Sequence, residues 1–540
     1  MLSRTLTDLP AELLMTISEH LEPTSFLSLS TLDRRLQLIF LPLFFNARGH
    51  ELPTAKKAEM RLVASDMAIL SGLQVSLWTT SLQVLSCTLT PGSSALFKEL
   101  HLLHCLVERL EHLGRLNLNL VEVNFRDCSH EVRPVMLENW AHKLTALLNA
   151  VVSRPDTALT VVYGSKSLAA RRHFRRLPRS RPPSREKPCA AVEKRCDDVG
   201  ASRNGVFYPI LRNIADGLRS LSPSHLKSPK QSRQSPEREQ QIAIEYRDVK
   251  LPSSGHVLIE HLGIHSVVLL RPPFLQWTIQ TLNAATKLST LSLDNVALSS
   301  DLGGFSCISE SDFLKSLTLP SLSKLVLGNC DIEWNDLIEF LGHHPSLVEL
   351  DLYRNIFRSS STDTIYIPSL PKLKSITATP EYLKRFLSSP SSLPELEMIT
   401  MSSDYYGMPP YGYDYGRFLR VFPLLDAIHL PLHLELRFLS GIGLESWLSS
   451  VSGCDIGAMD NVHSLELGTD NRFIFTAGIV RALVSFIGCL FPCVRSVTFR
   501  AKCVFGDGKD GYLDCEDRVI GSLRRTCLNL RTVNILPNEV

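Results

Sequence analysis

The sequence predicts an α/β chain in which a short helical unit leads into an irregular repeat solenoid. In that solenoid a parallel sheet lines the concave face and helices cover the convex face. Three observations predict this. Apolar residues recur at helical spacing through the first fifty residues. Beyond them, one phrase recurs eight times: leucine or a substitute, two residues, apolar, one residue, apolar. A stretch rich in Pro, Ser and Arg splits the leucine-rich remainder in two. The resulting division is 1–50 for the helical unit, 51–164 for the first part of the solenoid, 165–244 for an insertion, and 245–540 for the main solenoid.

The helical unit opens with Leu9-Pro10-Ala11-Glu12-Leu13-Leu14. Pro10 suits a first helical turn, where its missing N–H costs nothing. Glu12 complements the positive end of the helix dipole. Leu13, Leu14, Ile17 and Leu21 then share one face. Pro23 is expected to stop this helix, with Thr24 or Ser25 capping a second that carries Phe26, Leu27 and Leu29. Leu32, Leu36 and Phe40 mark a third, which Pro42 is expected to close. Three helices this short hide little apolar surface, and the surplus calls for a partner.

The string Leu9-Pro10-x-Glu12-Leu13-Leu14-x-x-Ile17-x-x-x-Leu21-x-Pro23, followed by Phe26, Leu29, Leu32 and Arg34-Arg35, resembles the F-box motif. The resemblance covers residues 5–45, under a tenth of the chain. It implies a three-helix unit that binds a Skp-family adaptor and, through it, a cullin–RING ubiquitin ligase. Adaptor contacts would come from Leu9, Pro10, Leu13, Leu14, Ile17, Leu21, Phe26, Leu29 and Leu32.

The repeat phrase appears at Phe97-x-x-Leu100-x-Leu102-x-x-Cys105 and at Leu120-x-x-Val123-x-Phe125-x-x-Cys128. After the insertion it begins at Leu288, Leu322, Leu347, Leu393, Val462 and Leu530, with further candidates near Ile264, Leu373, Leu425 and Val494. Its apolar-x-apolar part reads as a short strand with alternate side chains in the core. The residue three further on, such as Cys330 or Asn355, falls at the turn leaving the strand, where Asn satisfies backbone groups between stacked repeats. Stretches such as Asp336–Leu341 suit the convex helices. Together the helical front and these phrases resemble the F-box/leucine-rich-repeat proteins, and Phe340–Leu347 resembles the large fungal sets of them.

That resemblance implies a substrate receptor, not an enzyme, holding a protein target on its repeats. The alternative is a repeat scaffold unrelated to ubiquitin. Residues between the inward leucines face out, giving a concave row of Asn124, Arg126, Ser292, Asp294, Asp351, Tyr353, Glu397, Glu466, Thr498 and Arg500. Of these, Asp294, Asp351, Tyr353, Glu397, Glu466 and Arg500 are the expected target contacts, with an acidic middle suited to a basic segment. The loop Asp404–Tyr415, rich in tyrosine, is a rival contact surface.

Composition restricts the rest. A formal net charge of +2 over 540 residues argues against a surface built for nucleic acid or anionic membrane. Thirteen cysteines without zinc spacing read as reduced thiols, and hence as a cytoplasmic or nuclear chain. Ala477–Val494 is apolar but interrupted by Arg481 and Pro492, so a buried repeat helix is expected. No phosphate loop, HExxH or GxSxG occurs, and no cofactor or metal is expected. His343-His344 reads as a solvated turn, and the acidic run Asp507–Asp517 as a polar loop. The insertion, expected to be disordered, carries Arg171–Arg185 and three Ser-Pro pairs. Its basic tract reads equally as a nuclear-import signal or nonspecific RNA-binding segment, or as a solubilising linker.

Overall fold

The computed structural model describes residues 6–53, 58–63, 66–90, 93–120, 132–163, 174–176, 244–246, 256–294, 310–330, 332–353, 355, 367–403, 415–438, 443–452, 456–469, 473–500, 503–505 and 512–536. All belong to one compact unit, residues 1–176 with 243–540.

Three helices come first: α1 (Ala11–Ser18), α2 (Pro23–Ser30) and α3 (Arg34–Ala47). Pro10 stands one residue before the first turn of α1, at its N-cap. Pro23 does not merely stop α1; it occupies the first turn of α2, whose N-cap is Glu22 rather than Thr24 or Ser25. Pro42 does not close α3, which runs through it to Ala47. The Asp33 carboxylate caps α3 by accepting from Arg35 N at 2.7 Å. Arg35 in turn donates to Thr7 O at 2.6 Å and ties α3 to the approach to α1.

The strands follow as β1 (Glu59–Leu62), β2 (Ser81–Thr88), β3 (His112–Asn119), β4 (Ala158–Val162), β5 (Phe174–Arg176), β6 (Ile244–Tyr246), β7 (His261–His265), β8 (Thr290–Asp294) and β9 (Lys324–Gly328). Then come β10 (Glu349–Asp351), β11 (Ser375–Ala378), β12 (Met398–Ser402), β13 (Leu432–Phe438), β14 (Val462–Thr469), β15 (Phe473–Phe475), β16 (Ser496–Arg500), β17 (Cys503–Phe505) and β18 (Thr532–Leu536). Fourteen of them form one sheet in chain order, broken only by the omission of β5, β6, β15 and β17, which pair off separately. Every pairing in the large sheet is parallel, as in β8 against β9 and β13 against β14. A parallel sheet that advances one strand per strand–helix unit is a repeat solenoid.

The repeat phrase places its core residues as expected over most of the chain. Leu291 and Leu293, Leu325 and Leu327, and Leu465 and Leu467 are all buried. Each such leucine contributes about 1.5–3 kcal/mol of burial. Asn355 also does what its position suggests. Its amide donates to Leu327 O and accepts from Cys330 N, both at 2.6 Å, closing the turn of the preceding repeat.

Three readings of the phrase need correction, and a fourth falls outside the described residues. Phe97–Cys105 is not a strand but part of the helix Ser93–Arg109. There Leu96, Leu100, Leu103, Leu106 and Val107 are buried at helical spacing, a period that the phrase contains as well. The strands of that region are β2 and β3, and the phrase from Leu120 lies beyond β3, outside the described residues except for Leu120 itself. The Leu393 phrase is shifted by three: the strand core is Ile399 and Met401, in register with Ile376 and Ala378. Near Leu425 there is a helix, Phe422–Leu425, and the strand is β13.

Of the expected insertion, Phe174–Arg176 and Ile244–Tyr246 pair as two short strands, and the rest lies outside the described residues. Residues 404–414 and 506–511 lie outside them too. The apolar segment from Ala477 forms the helix Ala477–Leu490, capped by Thr476, and packs Leu483, Phe486 and Ile487 into the core. Among the described residues no helix is long and apolar enough to cross a membrane.

Candidate functional site

Two surfaces carry the residues singled out in the sequence. The first is the N-terminal helical unit. Of the eleven large hydrophobic residues exposed among those described, five fall between residues 6 and 38: Leu6, Leu13, Met15, Leu32 and Leu38. Leu32 is 69% exposed, Leu38 54% and Leu13 51%. This is a high concentration of exposed apolar side chains for a unit so short. The structure divides the expected adaptor contacts. Leu13, Leu32 and Pro10 are exposed. Leu9, Ile17, Leu21 and Leu29 are half-buried against the core. Leu14 and Phe26 are buried; Phe26 stacks on Phe40. Those two hold the unit together and have no face left for a partner.

The unit rests on the first repeat. Phe44 and Phe45 press so closely on Gly72 that a Cβ there would overlap the Phe44 ring. The Gln37 amide donates to Val75 O. The helical unit is thus fixed to the end of the solenoid.

The second surface is the sheet face away from the leucine core. One row runs Ser292, Val326, Asp351, Thr377, Thr400, Glu435, Glu466 and Thr498 through successive strands. The next row holds Asp294, Gly328, Tyr353, Ser402, Arg437, Gly468 and Arg500. Ser292, Asp294, Asp351, Tyr353, Glu466, Thr498 and Arg500 therefore share this face. Glu397 does not: the three-residue shift of its phrase places it before β12, exposed and off the row. Asn124 and Arg126 lie outside the described residues. Glu435 and Arg437, which sequence reasoning missed, take the place assigned to Glu397. Their signal was legible as the alternation Leu432-His433-Leu434-Glu435-Leu436-Arg437-Phe438.

The expected acidic middle is largely neutralised. Arg437 grips Glu435 with Nε to Oε1 at 2.7 Å and Nη2 to Oε2 at 3.1 Å, and Thr400 Oγ1 donates to Oε2 at 2.7 Å. Burial would raise the Glu435 pKa, but the Arg437 hydrogen bonds and charge, with Thr400 and Arg500, hold it below its ordinary value. Arg500 Nε lies 2.5 Å from Glu466 Oε1, and His433 Nε2 lies 4.0 Å from Glu466 Oε2. Both acids are buried, while both arginines stay about half exposed.

Asp351 and Asp294 differ. Burial pushes the Asp351 pKa up to about 6; the Tyr353 N–H and the charges of Arg437 and Lys324 oppose this, and Glu435 adds to it. Tyr353 N donates to Asp351 Oδ1 at 3.1 Å. Asp294 Oδ1 is buried without a hydrogen-bond partner. His265 faces Asp294, yet burial pushes its pKa below the ordinary value despite that charge, so it stays neutral near pH 7. His265 Nε2 instead meets Ser292 Oγ at 3.0 Å.

His344 is not in a solvated turn. It is buried, donates from Nδ1 to Phe340 O at 2.7 Å and accepts from Leu319 N at 3.2 Å. Burial lowers its pKa, which suits this neutral tautomer. Among the described residues no group of His, Cys, Asp and Glu is placed to hold a metal ion.

Comparison with known proteins adds little. No family model matches the chain. No curated protein matches it either. A crystal structure of a Bacteroides fragilis protein, a structural-genomics target, is similar over 46% of this chain at 14% identity and a TM-score of 0.25. The match spans 65% of that protein, just under two thirds of its length, and carries no argument about function.

Proposed function

We propose that this chain is a substrate receptor of a Skp–cullin–F-box type ubiquitin ligase. In this reading the N-terminal helices dock a Skp-family adaptor, and the sheet face of the solenoid holds a protein target. The observation that carries it is the coincidence of motif and exposure. The residues resembling the F-box form three helices, and Leu13 and Leu32, both within the motif, lie in solvent. The chain would perform no chemistry itself. Its contribution would be proximity, holding a target lysine near a charged ubiquitin carrier.

The test is co-purification of adaptor and cullin with the Leu13→Asp/Leu32→Asp variant. Both side chains are exposed, so the fold should survive and melt as wild type does. Adaptor recovery should fall at least tenfold. Unchanged recovery from a folded variant would defeat the proposal and leave the scaffold reading. Leu14→Ala is the uninformative choice, because emptying a buried leucine site costs about 2–5 kcal/mol and disturbs the unit itself.

A further inference from the structure

We propose that β8–β10 form the seat for a basic segment of the protein target, which places one cationic side chain on Asp294 and another on Asp351 with the Tyr353 ring between them. This rests on the reading of the sheet face as the target-binding surface, and it assigns that surface a location and a ligand chemistry.

The argument is a contrast within one face. Four acids stand on its two rows: Asp294, Asp351, Glu435 and Glu466. Glu435 and Glu466 each meet an arginine supplied by the fold. Asp294 and Asp351 have no cation within ion-pair distance among the described residues. The nearest candidates are engaged or neutral. Lys324 pairs with Glu349 at 2.6 Å, Arg437 with Glu435, and His265 bonds to Ser292. A half-buried carboxylate without a cation is unfavourable in the free protein. A partner's lysine or arginine would supply there what Arg437 and Arg500 supply next door.

Tyr353 adds shape. Its ring crosses the neighbouring strand to lie over Gly328, where any Cβ would overlap it. Gly328 stands opposite Asp294 in the register of β8 and β9. The ring therefore spans the ground between the two acids.

Spacing sets the ligand. The acids stand two strands apart and are offset by one two-residue step along the strand. That puts their Cα atoms about 12 Å apart, too far for one ammonium or metal ion to serve both. In an extended peptide, same-face residues at i and i+4 are about 13 Å apart. The seat thus fits two basic residues four apart.

The test uses the full-length protein and a fluorescein-labelled Gly/Ser peptide carrying two arginines four residues apart, read by anisotropy at low salt. The wild type should bind this probe at least tenfold more tightly than the same peptide with two glutamates. Asp294→Asn/Asp351→Asn should weaken binding at least tenfold. Glu395→Gln/Glu397→Gln, which removes the same charge from exposed positions off the row, should leave it unchanged. Equal loss in both double variants would mean unspecific attraction and overturn the assignment. So would retention of binding by the Asp294/Asp351 variant, or equal binding of the two peptides. The assay contains no adaptor, so failure here leaves the adaptor docking untouched.

Discussion

Two stretches of the same sheet face treat their acids in opposite ways. Along β12–β16, Glu435 and Glu466 are buried under arginines of the chain, and Thr400 adds a further hydrogen bond. Along β8–β10, Asp294 and Asp351 stand in equivalent rows with no cation at ion-pair distance among the described residues. The first stretch is finished internally; its charges serve the fold. The second keeps, at Asp351, an electrostatic deficit that the charges of Arg437 and Lys324 offset only in part. A list of outward-facing acids, which is all that a repeat phrase provides, does not separate the two.

The largest expected effect tests the finished stretch. Glu435→Ala strands the Arg437 guanidinium and the Thr400 hydroxyl, and should destabilise the protein by about 2–4 kcal/mol in urea unfolding. A loss under about 1 kcal/mol would remove the contrast.

Asp351 tests the other side, with opposite sign. Its folded pKa of about 6 lies above its ordinary value of 3.8. The folded state therefore holds the proton more tightly, and the associated stability is present below about pH 4 and lost as pH rises through 6. Asp351→Asn should stabilise the protein at pH 7.5 by about 1–3 kcal/mol and flatten the stability profile between pH 4 and 6.5. Destabilisation at pH 7.5 would show that Asp351 is satisfied as it stands.

Gly328→Ala sharpens the comparison at the ring. The added methyl displaces Tyr353 and should cost about 1–2 kcal/mol in thermal unfolding. It should also weaken binding of the basic peptide, with both carboxylates intact. The smallest effect belongs to Lys324→Ala. Its pair with Glu349 is nearly half exposed on both sides, so the expected loss is below about 0.5 kcal/mol.

The solenoid was legible where the phrase is undiluted. From Leu288 to Asn355 the inward leucines, the outward polar residues and the turn asparagine all stand where the pattern puts them. It failed where leucine density is ambiguous. In Phe97–Cys105 the phrase coincides with one face of a helix, and nothing local separates the two. Near Met398 the leucine at 393 belongs to the approach rather than the strand, so Glu397 slipped off the row. The helical unit was legible in number and order but not at its prolines, because Pro is as compatible with a first turn as with a stop. The pairing of acids with arginines was the least legible part. It depends on which side chains neighbouring strands bring together, and no copy of the phrase marks the strand that carries Glu435 and Arg437.

The side chains that close one repeat onto another mostly point backwards along the chain. Asn355 reaches the repeat of Leu327, Arg109 donates to Leu73 O and Ser76 O, and Arg154 donates to Val107 O and Leu110 O. Asn461 reaches Leu425 O and Ile428 O, and Asn529 reaches Pro492 O. On the ribosome the earlier repeat appears first, and its carbonyls must wait for a donor that has not yet been made. Each repeat would then be sealed by the translation of its successor, and the solenoid would harden from the N-terminus one unit behind synthesis.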